Sequence, residues 1–270
     1  MSYEDKITSF AAQVREGKVA EPTGELRLGV DLGTANIVLS VIDAEDQPVA
    51  GAWEHSTVVR DGIVVDWAGA VKAVCGLKEI LENRLRCRFT AAAVDIPPGI
   101  SEGTIKVFRN VLTAADLAVS QIVDEPVAAS RVLGIADGCV IDIGHGTTGV
   151  SILKGGEVVQ SVDEPTGGHH MNLVLAGAYQ VSYDEAEDLK KDPKRTDDVF
   201  GVIRPTLEKM ATIAQRAIAG HRLEMVHLVG GAASLPDAPD VFSAVLGLPV
   251  VRPLEPLFVT PLGVAMGGKK

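Results

Sequence analysis

The chain has 270 residues and a mass of 28.3 kDa, room for one large domain or two small ones at roughly 100–200 residues each. Apolar residues make up 46% and charged residues 23%, which supports a sizeable core and excludes wholesale disorder. Against 25 Lys and Arg stand 36 Asp and Glu, a net charge of −11, which argues against a nucleic-acid partner because such partners require a basic face.

In chain order, Ile7, Phe10, Ala11 and Val14 recur at helical spacing, and residues 16–24 read as a linker with Gly17, Pro22 and Gly24. Two readings of this helix are open: it docks on the body, or it is a tag that binds a partner through its apolar face. LRLGVDLG and NIVLSVID then read as two strands joined by a tight hairpin at Gly33-Thr34-Ala35. GIVVDW is a further short strand, and residues 67–86 form a helix with Val71, Val74, Leu77 and Leu81 on one face. TAAAVDIPPG is a buried strand stopped by Pro97-Pro98, followed by a helix over 104–115 with Ile105, Phe108 and Leu112 inward. AVSQIVDEPVAASRVLG reads as strand, turn and small-residue helix. CVIDIGHGTTGVSILKGGEVVQSVD then repeats the opening design of a strand ending in Asp, a glycine loop and a returning strand. Residues 168–220 are mostly helical, with elements at 183–190 and 206–219 and a break at Pro193. LEMVHLVGGAASLP is a buried strand and glycine turn, and VTPLGVAMGG closes the chain as a small-residue helix. Alternating strands and helices make the class α/β. The repeated hairpin implies two related lobes facing one another.

No apolar run approaches the ~20 residues of a membrane span, and MSYEDKITSF carries no signal-peptide pattern. Cys75, Cys87 and Cys139 have no CxxC spacing, so neither a disulfide framework nor a thiolate zinc site is read. The expected location is cytoplasmic.

The two hairpins carry chemistry. A tight turn aims consecutive backbone N–H groups at one point and binds phosphate oxygens without a side-chain cation. In the first loop Gly33, Thr34 and Ala35 supply these amides, with Asn36 beside them; in the second they come from Gly144, His145, Gly146, Thr147 and Thr148. Asp31 and Asp142 stand beside these turns. Two carboxylates there repel each other and the phosphates unless a hard cation lies between, and Mg²⁺ held mostly through water fits. The alternative is a pair of ordinary hairpins with glycine turns.

These segments resemble the actin-like ATPase superfamily, which includes DnaK-type chaperones, MreB, FtsA and PilM. GVDLGTANIVL is similar to its first phosphate motif, VIDIGHGTTGVSIL to the second, VDEPVAAS to the first connecting helix, VHLVGGAASLP to the adenosine motif and VTPLGVAMGG to the second connecting helix. The five stand in family order from about residue 28 to 267. The short length and GGHHMNLVLAGAYQVSYDEAEDLKK resemble the branch found in ethanolamine-utilisation operons. The resemblance implies an actin-like ATPase fold of two ribonuclease H-like lobes in tandem with reduced accessory subdomains. Its divisions are an N-terminal helix and linker at 1–25, lobe I at 26–135 with an accessory part near 47–67, lobe II at 136–262 with a helical accessory part near 180–222, and a C-terminal helix at 263–270 returning to lobe I.

The resemblance also implies roles. Mg²⁺ with ATP or ADP bridges the hairpins, Asp31 and Asp142 hold the ion, and Glu125 orients the attacking water. For Glu125 the alternative is an acid favoured by a helix N-terminus. Gly230, Gly231 and Ala232 approach the adenine or its ribose, and Gly167-Gly168 contacts phosphate or nucleotide. Glu187 and Lys190 bond the ribose, or are a solvated ion pair. His145 stands where relatives usually have Gly, and the first-lobe catalytic Lys of the chaperones has no match: Lys72 and Lys78 lie on a helix without the motif. Adjacent His169 and His170 point apart on a helix, which speaks against a shared metal.

The implied function is an ATP-binding, slowly hydrolysing switch whose client is an enzyme of ethanolamine catabolism or the shell of a bacterial microcompartment, with recruitment to that compartment. Alternatives are a nucleotide-holding scaffold or assembly factor without hydrolysis, a filament former, and a small-molecule kinase using Asp95 as base. No oligomeric state is read.

Overall fold

The computed structural model of the chain describes residues 1–60 and 62–267. It begins with helix α1 (Tyr3–Glu16), capped by a Ser2–Asp5 box at one end and left-handed Gly17 at the other. The first lobe follows: β1 (Arg27–Leu32), β2 (Asn36–Ile42), β3 (Pro48–His55), a small hairpin of β4 (Val59–Arg60) and β5 (Ile63–Val64), α2 (Trp67–Leu85), β6 (Ala91–Ile96), α3 (Glu102–Ala114) and β7 (Ala118–Asp124). Helix α4 (Glu125–Leu133) leads into the second lobe: β8 (Gly138–Ile143), β9 (Thr148–Lys154), β10 (Glu157–Glu164), α5 (Gly168–Tyr179), α6 (Tyr183–Lys191), α7 (Thr196–Ala217), β11 (Val226–Val229), α8 (Ala238–Leu246) and β12 (Val250–Val251). Helix α9 (Val259–Ala265) ends the described chain.

The sheets run β3-β2-β1-β6-β7 and β10-β9-β8-β11-β12, so the second lobe repeats the first strand for strand. In each, three strands pair antiparallel through short hairpins and two more join parallel, which requires longer crossovers. The tandem-lobe α/β architecture implied by the repeated hairpin is present. Strands β1 and β8 match closely: both have six residues, both carry Asp fifth, and both follow the same burial pattern.

Each lobe has its own core. Ile37, Leu39, Leu81, Phe108 and Leu112 pack in the first, and Ile141, Met171, Leu175, Ile203 and Phe242 in the second. A third cluster lies between them, where Ile7 and Phe10 meet Val140, Val229, Phe258 and Leu262. There α4 and α9 cross so closely that a Cβ on Gly263 would overlap the Ala128 carbonyl.

Two elements differ from expectation. Strand β3 extends the main sheet, so within 47–67 only the part around β4 and β5 stands outside it; Asp61 lies outside the described residues. Helix α7 begins at Thr196, ten residues before the expected start, and runs through Pro205. Its amphipathic face, with Val199, Ile203 and Leu207 buried, offsets the missing backbone donor. Of the two readings of helix α1, the structure shows the docked one and not a tag with a free apolar face. Ile7, Phe10, Ala11 and Val14 are buried in the body, the Gln13 side chain donates to the Pro48 carbonyl at 2.9 Å, and Glu4 accepts from the Leu254 N–H at 3.1 Å. The apolar face is consumed within the chain. The closing helix read over VTPLGVAMGG starts at Val259 as expected, and residues 268–270 lie outside the described residues. Among the described residues no helix is long and apolar enough to cross a membrane.

Candidate functional site

A cleft of about 1030 Å³ opens between the lobes. The β1–β2 turn enters it from one side and the β8–β9 turn from the other. Of the residues expected at the site, Asp31, Gly33, Thr34, Ala35, Asn36, Glu125, Asp142, Gly144, His145, Gly146, Thr147, Gly168, Glu187, Lys190, Gly230, Gly231 and Ala232 all line it. Thr148 and Gly167 do not line it. Thr148 is fully buried and its hydroxyl donates to the Thr166 carbonyl at 2.6 Å. Gly167 packs against the turn's backbone, where a Cβ would sit 2.6 Å from the His145 carbonyl. Both brace the second turn from behind. The Gly168 and His169 N–H groups do the same, donating to the Gly144 and His145 carbonyls at 3.0 and 2.7 Å. Two amides expected to meet phosphate are spent inside the turns: the Gly144 N–H donates to the Thr147 carbonyl at 3.0 Å and the Gly33 N–H to the Asp31 carboxyl.

The floor is acidic. Burial and neighbouring Asp142 push the Asp31 carboxyl up to about 7. Burial and Asp163 push Asp142 up to about 6, against a hydrogen bond from Thr260 that lowers it. Burial, Asp142 and Asp31 hold Glu125 well above the ordinary carboxylate range. Such a cluster either keeps protons or gathers cations. Mg²⁺ fits only at one remove: among the described residues no three His, Cys, Asp or Glu side chains form a direct ligand set. Asp31 and Asp142 can hold an ion through water and a ligand's phosphate oxygens.

The far end is built by lobe II. Gly230 adopts φ +92°, and a Cβ there would overlap Asp142 Oδ1, so the β11 turn can pass the carboxylate only as glycine. Glu187 and Lys190 pair at 2.7 Å, and the Lys190 ammonium also donates to Asn172 Oδ1 at 2.7 Å. With the Lys190 side chain 10% exposed, this is a walled network rather than a solvated surface pair. Burial would raise Glu187, but Lys190, Lys191 and Asn172 hold it down at about 2. Burial lowers Lys190 more than its partner restores, because the ammonium is the more enclosed of the two.

Other placements correct expectations. Asp95, considered as a kinase base, is 2% exposed and absent from the cleft wall; buried on β6 beside β1, it does not meet a substrate hydroxyl. Lys78 donates to the Ala115 carbonyl at 2.7 Å, away from the cleft. Among the described residues the lining cations are Arg15, Lys190 and Lys191. All three are paired, Arg15 with Glu255 and both lysines with Glu187. Sequence reasoning missed Asp163, Thr260 and Tyr183, which also line the cleft. A signal for Asp163 exists: VDEP occurs at 123–126 and again at 162–165. Thr260 and Tyr183 act through contacts made only by folding.

A family model described as cell division protein FtsA matches residues 139–263. The ethanolamine utilization protein EutJ of Salmonella typhimurium is 42% identical over 265 residues, covering 98% of this chain and 93% of the relative. A crystal structure of EutJ from Carboxydothermus hydrogenoformans superposes with a TM-score of 0.93 at 43% identity, covering 98% of both chains. MreB 5 of Spiroplasma citri bound to AMPPNP superposes with a TM-score of 0.74 at 18% identity over 91% of this chain and 96% of that one, a likeness of fold. From the matched hairpins, the repeated sheet order and near full-length similarity, the chain belongs to the EutJ family of ethanolamine utilization proteins, built on the actin-like ATPase fold.

Proposed function

We propose that this protein is a nucleotide-binding switch serving ethanolamine utilization, with Mg-ATP or Mg-ADP bound between its lobes. The observation that carries this reading is the matched pair Asp31 and Asp142, each beside a glycine turn and facing one cleft together with Glu125. The amides of Thr34 and Ala35 and of residues 145–147 bind phosphate oxygens, and the turn at Gly230, Gly231 and Ala232 receives the nucleoside. A bound Mg²⁺ supplies the positive charge that lets Asp31 and Asp142 ionise side by side. Glu125, once its neighbours are neutralised, can orient a water for slow hydrolysis. The crossing of α4 and α9 is the hinge through which nucleotide state sets the angle between lobes. The client is an enzyme of ethanolamine catabolism or a microcompartment shell protein, and the fold neighbour bound to AMPPNP supports the nucleotide part of the reading.

A second reading is a module that holds nucleotide without hydrolysing it. It is favoured by the pairing of every described lining Lys and Arg with a carboxylate, which leaves none aimed at a transferring phosphoryl group. Phosphate release with Mg-ATP separates the two. The switch predicts slow release in the wild type and none above background in Glu125→Gln, with Mg-ATP still bound by both. Equal release by both removes the role of Glu125, and background release by both leaves the holding module.

A further inference from the structure

His145 occupies the second phosphate turn, and its ring does not hang free. Its Nε2 lies 3.1 Å from the Tyr183 hydroxyl, and that hydroxyl lies 2.9 Å from His169 Nδ1. Three elements meet in this chain: the β8–β9 turn, the first residue of α6 and the first turn of α5. The His169 N–H also donates to the His145 carbonyl, so backbone and ring are both fixed. Among the described residues no hydrogen bond uses Nδ1 of His145, which lines the cleft and is left for a ligand there.

The proton arithmetic of the chain is complete in two states. With neutral His145 carrying Nδ1–H, the Tyr183 hydroxyl donates to Nε2 and accepts from His169 Nδ1–H. With protonated His145, Nε2–H donates to the Tyr183 oxygen and the Tyr183 O–H turns to His169 Nδ1. The Tyr183 hydroxyl and the two ring nitrogens it meets are satisfied in both, and only hydrogens move. The groups facing His145 are Lys190 and Glu187 on α6, His169 on α5, and His55 at the end of β3 across the cleft; burial and Lys190 keep the free imidazole neutral. The described lining lysines and arginine are spent on carboxylates, so this imidazole is the group on the second turn able to gain a positive charge; His55, across the cleft beside the first turn, is common to every variant below.

We propose that His145 is a proton-gated ligand of the nucleotide's terminal phosphates, with Tyr183 and His169 as positioning residues that aim its Nδ1. The proposal rests on the nucleotide-binding reading and adds a selectivity: protonation favours nucleotides that reach the turn with a polyphosphate. A hydrogen bond that becomes charge-assisted on protonation supports a gain of about tenfold in affinity at this half-buried position.

The test is calorimetric titration of the full chain with Mg-ATP and with AMP between pH 6 and 8, for wild type, His145→Gly and Tyr183→Phe, with circular dichroism as a check on folding. Asp31 and Asp142 titrate in the same range and act in every variant, so the comparison between variants isolates the imidazole. The expected result is a wild-type Mg-ATP affinity that gains about tenfold on His145→Gly at pH 6 and converges with it at pH 8. AMP should show no such difference, and Tyr183→Phe should lose most of it. Parallel profiles for wild type and His145→Gly, or a Tyr183→Phe profile superimposed on wild type, overturn the proposal while nucleotide binding stands. No binding at any pH removes both.

Discussion

Thr260 donates its hydroxyl to Asp142 Oδ2 at 3.2 Å, across 118 residues of sequence. Thr260 belongs to α9, which packs on the first lobe, whereas Asp142 ends the central strand of the second. Two residues before Thr260, Phe258 meets Phe10 of α1 edge-on at 5.9 Å. Helix α9, the proposed hinge, therefore touches the Asp142 carboxylate directly. Thr260→Val keeps the shape and removes the bond. The Asp142 carboxyl should then rise further above about 6, and Mg-ATP affinity at pH 7 should fall by roughly fivefold, about 1 kcal/mol. Calorimetry with Mg-ATP checks this, and an unchanged Kd would show that the bond does not reach the ligand.

Gly263 is held to glycine by the crossing itself, because any Cβ would occupy the Ala128 carbonyl. Both are main-chain neighbours in packed helices, so neither can yield by a rotamer change. Gly263→Ala should lower stability by about 3 kcal/mol, at or beyond the upper end of ordinary overpacking. Gly177→Ala, where a Cβ meets nothing within 4 Å, is the matched control. Chemical denaturation of both decides, and equal midpoints would mean the helices part without difficulty.

The acidic floor predicts a pH dependence of stability in the absence of nucleotide and divalent cations. Asp31 keeps its proton in the folded state up to about 7, above the ordinary value of 3.8. Its contribution is then fully present below pH ~4 and is lost as the pH rises through about 7, at up to about 1.4 kcal/mol per pH unit. Asp31→Asn removes that decline. The variant should gain on wild type steadily between pH 4 and 7 and hold its advantage above. Parallel stability curves would show that the Asp31 carboxyl titrates normally.

Much of this was legible beforehand because the informative residues are local. DLGTAN and DIGHGTTG each encode a strand end, a turn and a carboxylate within a few residues, and both fall where expected. What was hidden depends on packing between distant segments. Nothing in GVIRPTLEKM marks the buried side of α7 as strong enough to carry Pro205 inside the helix. Thr148 reads as one more turn residue, yet the pleat turns its hydroxyl to the Thr166 carbonyl. The apolar face of α1 is equally compatible with a partner outside the chain. Gly51 in β3 supplies the missing clue, since a Cβ there would meet Phe10 at 2.7 Å and overlap Val14, and that relationship appears only when the two segments are side by side.

If α1 is part of the body, truncating its anchor is felt by the whole fold. Phe10 is fully buried between β3 and Phe258, and Phe10→Ala should cost about 3–5 kcal/mol. Urea denaturation measures it. A loss below about 1 kcal/mol would indicate a helix that docks loosely and could serve a partner instead.

The central claim is that the two hairpins form one nucleotide site. Calorimetric titration of Mg-ATP into wild type, Asp31→Ala and Asp142→Ala tests it most directly, with circular dichroism confirming that each variant is folded. The account predicts saturable one-to-one binding by the wild type and loss of at least tenfold in affinity for each variant, since removing either carboxylate takes away one side of the bridge. Absence of heat in the wild type at millimolar Mg-ATP, or binding indifferent to both substitutions, would contradict it.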